Sequence, residues 1–186
     1  MKQLSLYEAL FDTVEGETTS LSGMPSRATL DATSLKYETR VPQLEYMCLI
    51  MENMVLMKKP KARIYAGFQK LSRAAAPVLE RFVEMSRFAE HVYIFGENDQ
   101  PMPPYPNMTY VHLPHGHKLM REWFLVIHSP MMKSMMVAYD MDGFGVQEVE
   151  EGRNFRGVKS INPKVVDQAA HLLDELLPNR TGAGLR

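Results

Sequence analysis

The side chains with the widest chemical range fall in His112-Leu113-Pro114-His115-Gly116-His117. Three imidazoles can hold Zn²⁺ if they converge, and the glycine between His115 and His117 lets both point one way. Further ligands are sparse: Glu122 is the nearest carboxylate, and the spacing fits no standard zinc pattern. The cluster therefore reads as exposed loop histidines, and no metal site is expected. Asp140-Met141-Asp142-Gly143 starts like a calcium loop, but Phe144 stands where a third oxygen ligand belongs, so a strand-to-loop turn is expected. Cys48, the single cysteine, lies in an apolar helical stripe and reads as inert packing. Lacking a disulfide partner within the chain, it fits a reducing compartment, and the expected localisation is cytoplasmic.

Reactive loops with a recognised pattern do not occur. The chain carries no GxxxxGK[ST], no GxGxxG after a strand and no GxSxG elbow, and its carboxylates are scattered rather than paired. No catalytic residue and no enzyme activity are expected. The cofactor is left unknown.

Charge narrows the partners. The 186 residues carry a net charge of -1, which offers no field to draw nucleic acid. Residues 1–57 are acidic, residues 58–87 are basic (Lys58, Lys59, Lys61, Arg63, Lys70, Arg73, Arg81 and Arg87 against Glu80 and Glu84), and the remainder is mildly acidic. A solvated face is the plain reading of the basic stretch, although it could also meet an acidic ligand or partner. No apolar run is long enough to span a bilayer, and the N-terminus lacks the apolar stretch of a signal peptide.

These residues need elements to position them. Helical spacing marks Leu4–Val14, and Thr18–Asp31 reads as a loop rich in Ser, Thr and Gly. Ser34–Val41 is a short strand or an extended lead-in. Pro42 opens a second helix ended by Lys58-Lys59-Pro60, with Leu44, Met47, Cys48, Met51, Met54 and Val55 in one stripe. Further apolar residues off the stripe make it a deeply buried helix or one packed on a second chain. Strands follow at Ala62–Phe68, His91–Phe95, Thr109–Leu113, Trp123–Ile127, Met135–Tyr139 and Phe155–Ser160. A helix lies over Pro77–Ala89, and a last one begins at the Asn162-Pro163 cap. Ser129-Pro130 suggests a hairpin. The expectation is an α+β fold in a single domain over residues 1–178, followed by a tail over 179–186. Its core would be a central mixed sheet of about four to six strands with helices packed on it.

Several short segments form a familiar series: Leu6-Tyr7-Glu8-Ala9-Leu10-Phe11, Ala66-Gly67-Phe68-Gln69, Val92-Tyr93-Ile94-Phe95-Gly96, Glu122-Trp123-Phe124-Leu125-Val126-Ile127 and Arg153-Asn154-Phe155-Arg156-Gly157-Val158, then Asn162-Pro163. In this order, from Leu4 to Leu177, the chain resembles the DICT domain, a sensory domain associated with diguanylate cyclases and two-component systems. The resemblance implies an α+β fold on a sheet of about four strands. It also implies a role in bacterial or archaeal signalling, with light response suggested for the family. It carries over no catalytic or ligand residues. No output domain follows, so the signal is expected to pass to a separate output protein.

The leading expectation is thus a sensory or regulatory domain that binds a small ligand or a partner. Phe68, Gln69, His115, Trp123 and Arg156 are the candidate ligand residues, because aromatics and a guanidinium suit a planar or anionic molecule. One alternative is a homodimeric interaction module without a ligand, built on Met47, Met51 and Met54. Fifteen methionines in the chain give that idea its chemistry, since thioether surfaces adapt to varied partners, although plain core filling explains them too. A metal-dependent hydrolase on the histidine cluster is the remaining alternative.

Overall fold

The computed structural model describes residues 1–178. The tail expected over 179–186 lies outside the described residues. The strands are β1 (Thr18–Ser20), β2 (Ser34–Arg40), β3 (Arg63–Lys70), β4 (His91–Glu97), β5 (Met108–His112), β6 (Glu122–His128), β7 (Lys133–Asp140) and β8 (Asn154–Ser160). The helices are α1 (Leu6–Leu10), α2 (Arg27–Asp31), α3 (Val41–Lys58), α4 (Val78–Ser86) and α5 (Pro163–Asp174).

All strands join one mixed sheet in the order β1-β2-β8-β7-β6-β3-β4-β5. This overturns the expected four to six strands: the sheet has eight. The extra strands lie at the edge where the sequence signal is weakest. β1 is Thr-Thr-Ser, with no apolar residue to mark a face, and it adds in parallel to β2. The segment read as a strand or lead-in is a full strand, with β2 paired to β8 from Ser34↔Ser160 to Arg40↔Asn154. The presumed Thr18–Asp31 loop also contains α2, where Ser26 Oγ caps Thr29 N at 3.2 Å.

Helices cover both faces. On one face α3 and α4 bury Leu44, Val55 and Phe82 against Ile64, Ala66, Phe68, Leu125 and Phe155. On the other, α1 and α5 bury Leu6, Leu10, Val166 and Leu173 against Tyr65, Phe124, Val126 and Val158. Strands β3, β4 and β6 are therefore apolar on both sides, as a doubly covered strand must be. Two glycines let aromatic rings cross the sheet. A Cβ on Gly67 would lie 2.2 Å from the Phe124 ring, and one on Gly157 would lie 2.1 Å from Val137 O and 2.8 Å from Tyr37 Oη. The bare backbone at Gly157 lets Tyr37 reach across β8 and donate to Val137 O on β7 at 3.2 Å.

α3 begins with Pro42 in its first turn and ends at Lys59, whose φ of 47° is left-handed, just before Pro60. The first helix is shorter than expected: α1 stops at Leu10 and a 3₁₀ turn carries Phe11–Thr13. Asn162 caps α5 as the sequence indicated, accepting from Lys164 N at 3.0 Å. Among the described residues, no helix is long and apolar enough to cross a membrane.

Candidate functional site

A cavity of about 490 Å³ opens where the first half of α3, α4 and the sheet face of β3 and β6 meet. That volume suits a small organic ligand. Phe68, Phe82 and Trp123 supply its aromatic walls. Phe68 and Phe82 meet edge to face with centroids 5.6 Å apart, and Trp123 rests on Phe155 at 6.2 Å in the same manner.

Its polar groups come from three elements. Glu52 of α3 is buried and accepts from Arg81 of α4 at 2.7 Å, tying the two helices together. Burial raises the Glu52 pKa above the usual carboxylate range, and the Arg81 charge opposes that rise. Arg73, in the 3₁₀ turn after β3, lies over the Trp123 ring at 5.3 Å and the Phe144 ring at 5.6 Å. Among the described residues Arg73 forms no hydrogen bond and no ion pair. Its pKa is lowered, first by burial and then by the like charge of Arg153, with Glu45, Glu150 and Asp140 opposing. Cys48 also borders the cavity; burial pushes its thiol pKa far up, so it stays protonated and a poor nucleophile.

Behind Arg73 a buried polar network fixes the ends of three strands. Gln69, with φ of 68°, donates to Asp140 Oδ2 at 3.1 Å and accepts from Arg153 Nη1 at 3.1 Å. Arg153 and Asp140 pair at 2.5 Å, both fully buried. The other Asp140 oxygen accepts from Asp142 N at 3.1 Å and Gly143 N at 2.8 Å, so the calcium-like sequence closes a turn. The following loop places Phe144 against Lys70 at 4.6 Å and Arg153 at 4.1 Å, as well as Arg73. One ring thus gathers three cationic side chains.

The structure brings Phe68 and Trp123 together in the cavity and sets Gln69 in the network beside it. It does not bring His115 or Arg156 there. His115 is 94 % exposed on its turn, 3.6 Å from Glu97. Arg156 lies over the Phe11 ring at 4.8 Å and near Glu38 at 3.6 Å. The histidines do not converge either. His117 is buried rather than exposed: its Nε2 lies 2.9 Å from Lys2 O, and its Nδ1 accepts from Leu119 N at 3.2 Å. A ring that accepts at Nδ1 and donates at Nε2 is a neutral tautomer holding the N-terminal segment in place. Among the described residues, no three His, Cys, Asp or Glu side chains gather to hold a metal. Of the interaction residues, Met47 is buried under α3, Met51 is half-buried and Met54 is 40 % exposed.

Sequence reasoning missed Arg73, Arg81 and Glu52. A signal for Glu52 was present: a carboxylate set beside Met51 and Val55 and one turn from Cys48, unlike Glu45 nearer the helix start, calls for a cation if it is buried.

The cavity is thus largely apolar, with Glu45, Glu52, Arg73 and Arg81 as the charged members of its lining. The chain belongs to the DICT family, described as a sensory domain in diguanylate cyclases and two-component systems, whose model matches residues 20–141. It is accordingly a non-catalytic sensory and regulatory module of bacterial signalling. The match runs from the last residue of β1 just past the end of β7 and is shorter than the Leu4–Leu177 resemblance. No curated protein matches the chain. Among solved structures, the polyphosphate kinase from Porphyromonas gingivalis aligns at 12 % identity and a TM-score of 0.50 over 83 % of this chain and 24 % of that one. The chain thus spans about a quarter of the kinase, and the likeness is one of fold. NucT from Helicobacter pylori aligns at 12 % identity and a TM-score of 0.44, over 77 % of this chain and 95 % of that one.

Proposed function

We propose that this sensory domain binds a small planar ligand carrying a negative charge in the cavity between α3, α4 and the sheet. The bound state passes to a separate output protein, in the cytoplasm. Arg73 is the observation that carries this reading. A half-buried guanidinium stacked on Trp123, with carboxylates near enough to act on its charge but none within ion-pair distance among the described residues, is a cation able to take an anion. Phe68, Phe82 and Trp123 offer flat apolar surface beside it, and Gln69 braces the strand end from which Arg73 departs. α3 forms one wall, so a ligand that prefers one setting of this helix shifts the population towards it.

Trp123 is the single tryptophan, so its emission reports on the cavity directly. Titration with a panel of aromatic carboxylates and nucleoside phosphates is expected to quench it saturably for at least one member. Arg73→Gln is expected to weaken that binding about 10- to 100-fold, the range for losing a hydrogen bond to a charged group. Native mass and absorbance spectra of freshly purified protein would show any ligand or pigment already bound. Equal affinity in Arg73→Gln, or no saturable quenching together with a ligand-free native mass, would refute the reading.

A further inference from the structure

A second hollow, of about 560 Å³, lies on the opposite flank of α3 from the cavity. At about 100° per residue, Glu45, Cys48, Leu49 and Glu52 project from one side of the helix, and Met47, Ile50, Met54 and Lys58 from the other. Six methionines line this groove: Met47, Met51 and Met54 from α3, Met131 and Met132 from the β6–β7 turn, and Met136 from β7. Met131 is 91 % exposed. Lys58, Lys133 and Lys159 line the groove with one acidic residue, Asp31, and Asp167 stands just outside it.

We infer that this groove docks an amphipathic helix with an acidic flank, supplied by the output protein. Unbranched thioethers repack around different apolar side chains, which suits a groove that receives leucines at i, i+3, i+4 and i+7. Charge complementarity selects the partner. Lys133 is already paired with Asp167 at 2.6 Å, while Lys58 forms no ion pair among the described residues. The half-buried Lys159 has its pKa lowered by burial, with Asp31 opposing, so an approaching carboxylate would favour its charged form. A second copy fits less well, because a two-fold contact through this groove sets lysines against lysines. A membrane favours protruding apolar groups over a concave surface. The inference rests on the trans-acting output proposed above but not on the ligand.

The test uses the full chain carrying ¹³C-methyl methionine and a synthetic peptide of about 18 residues, long enough for five helical turns. The peptide bears leucine at helical spacing and glutamate elsewhere; a control replaces glutamate by lysine. The acidic peptide is expected to shift the groove methyls and leave Met85 and Met102 in place. The lysine peptide should bind at least about tenfold more weakly, with the difference shrinking as salt rises. Met131→Glu and Lys58→Glu, both at exposed positions, should each weaken the acidic peptide, and unchanged distal methyls would show that the fold is intact. Four results would overturn the inference: no shift with either peptide at millimolar concentration, equal binding of both, a native dimer dissolved by Met131→Glu, or groove shifts produced only by anionic vesicles. Trp123 emission reads the ligand cavity independently, so either proposal can fail alone.

Discussion

Glu122 begins β6 with its carboxyl wholly buried, and it accepts from Ser5 Oγ, from Leu6 N at 2.9 Å and from Tyr7 N at 3.3 Å. It therefore anchors the first turn of α1, far along the chain, and loss of water pushes its pKa up to about 7 despite those donors. The folded state then keeps a proton that the unfolded chain releases near pH 4.5, so stability falls as pH rises through that window to about 7. At 1.36 kcal/mol per unit, this one group accounts for about 3 kcal/mol across the interval. Urea unfolding of wild type and Glu122→Gln from pH 4.5 to 8 is expected to show curves that converge or cross, because the glutamine variant lacks this slope. Parallel curves would contradict the assignment. The sequence displayed Glu122 only as the carboxylate nearest the histidines. Its work is done with residues 5–7, and no local pattern could reveal a pairing across more than a hundred positions.

α3 shows how far an element can be read from spacing. The stripe predicted from its periodicity does face the sheet at Leu44, Met47, Cys48 and Val55, because a helix lying on a flat apolar surface buries a fixed side. What periodicity missed is that both flanks also line hollows, so Glu52 is buried while Met54 is not. Leu44→Ala is expected to destabilise the protein by about 2–5 kcal/mol, the range for a buried leucine left as a cavity. Met54→Glu should cost less than about 0.5 kcal/mol, as exposed positions do. Guanidinium denaturation of both variants checks the pair, and similar losses would mean that α3 sits differently. Strands followed the same logic. β3, β4 and β6 announced themselves as apolar runs, whereas Thr18–Ser20 became a strand only because β2 offered it an edge.

At the scale of the molecule, the two faces of the sheet have separate cores, and Cys48 sits in the one beneath α3. Its thiol touches Met136 Sδ at 3.2 Å and is held protonated by burial, so it reacts slowly unless the helix lifts. A disulfide reagent at pH 8 is expected to label Cys48 at the rate of opening, with a sharp rise only as denaturant approaches the unfolding midpoint. Prompt labelling in buffer would show that the thiol is reached without unfolding, through the cavity it borders or by detachment of α3. The cavity itself was half legible: Phe68 and Trp123 could be named because aromatic rings suit a planar ligand, but Arg73 and Arg81 looked like any other member of a basic stretch until α4 folded beside α3. The placement of α3 between two hollows has a consequence beyond either one. By thermodynamic linkage, whatever factor a small molecule adds to the grip on a docked helix, that helix must return to the grip on the small molecule. The threshold of such a detector would then be set partly by the abundance of its listener, and a cell could retune it by making more or less of another protein.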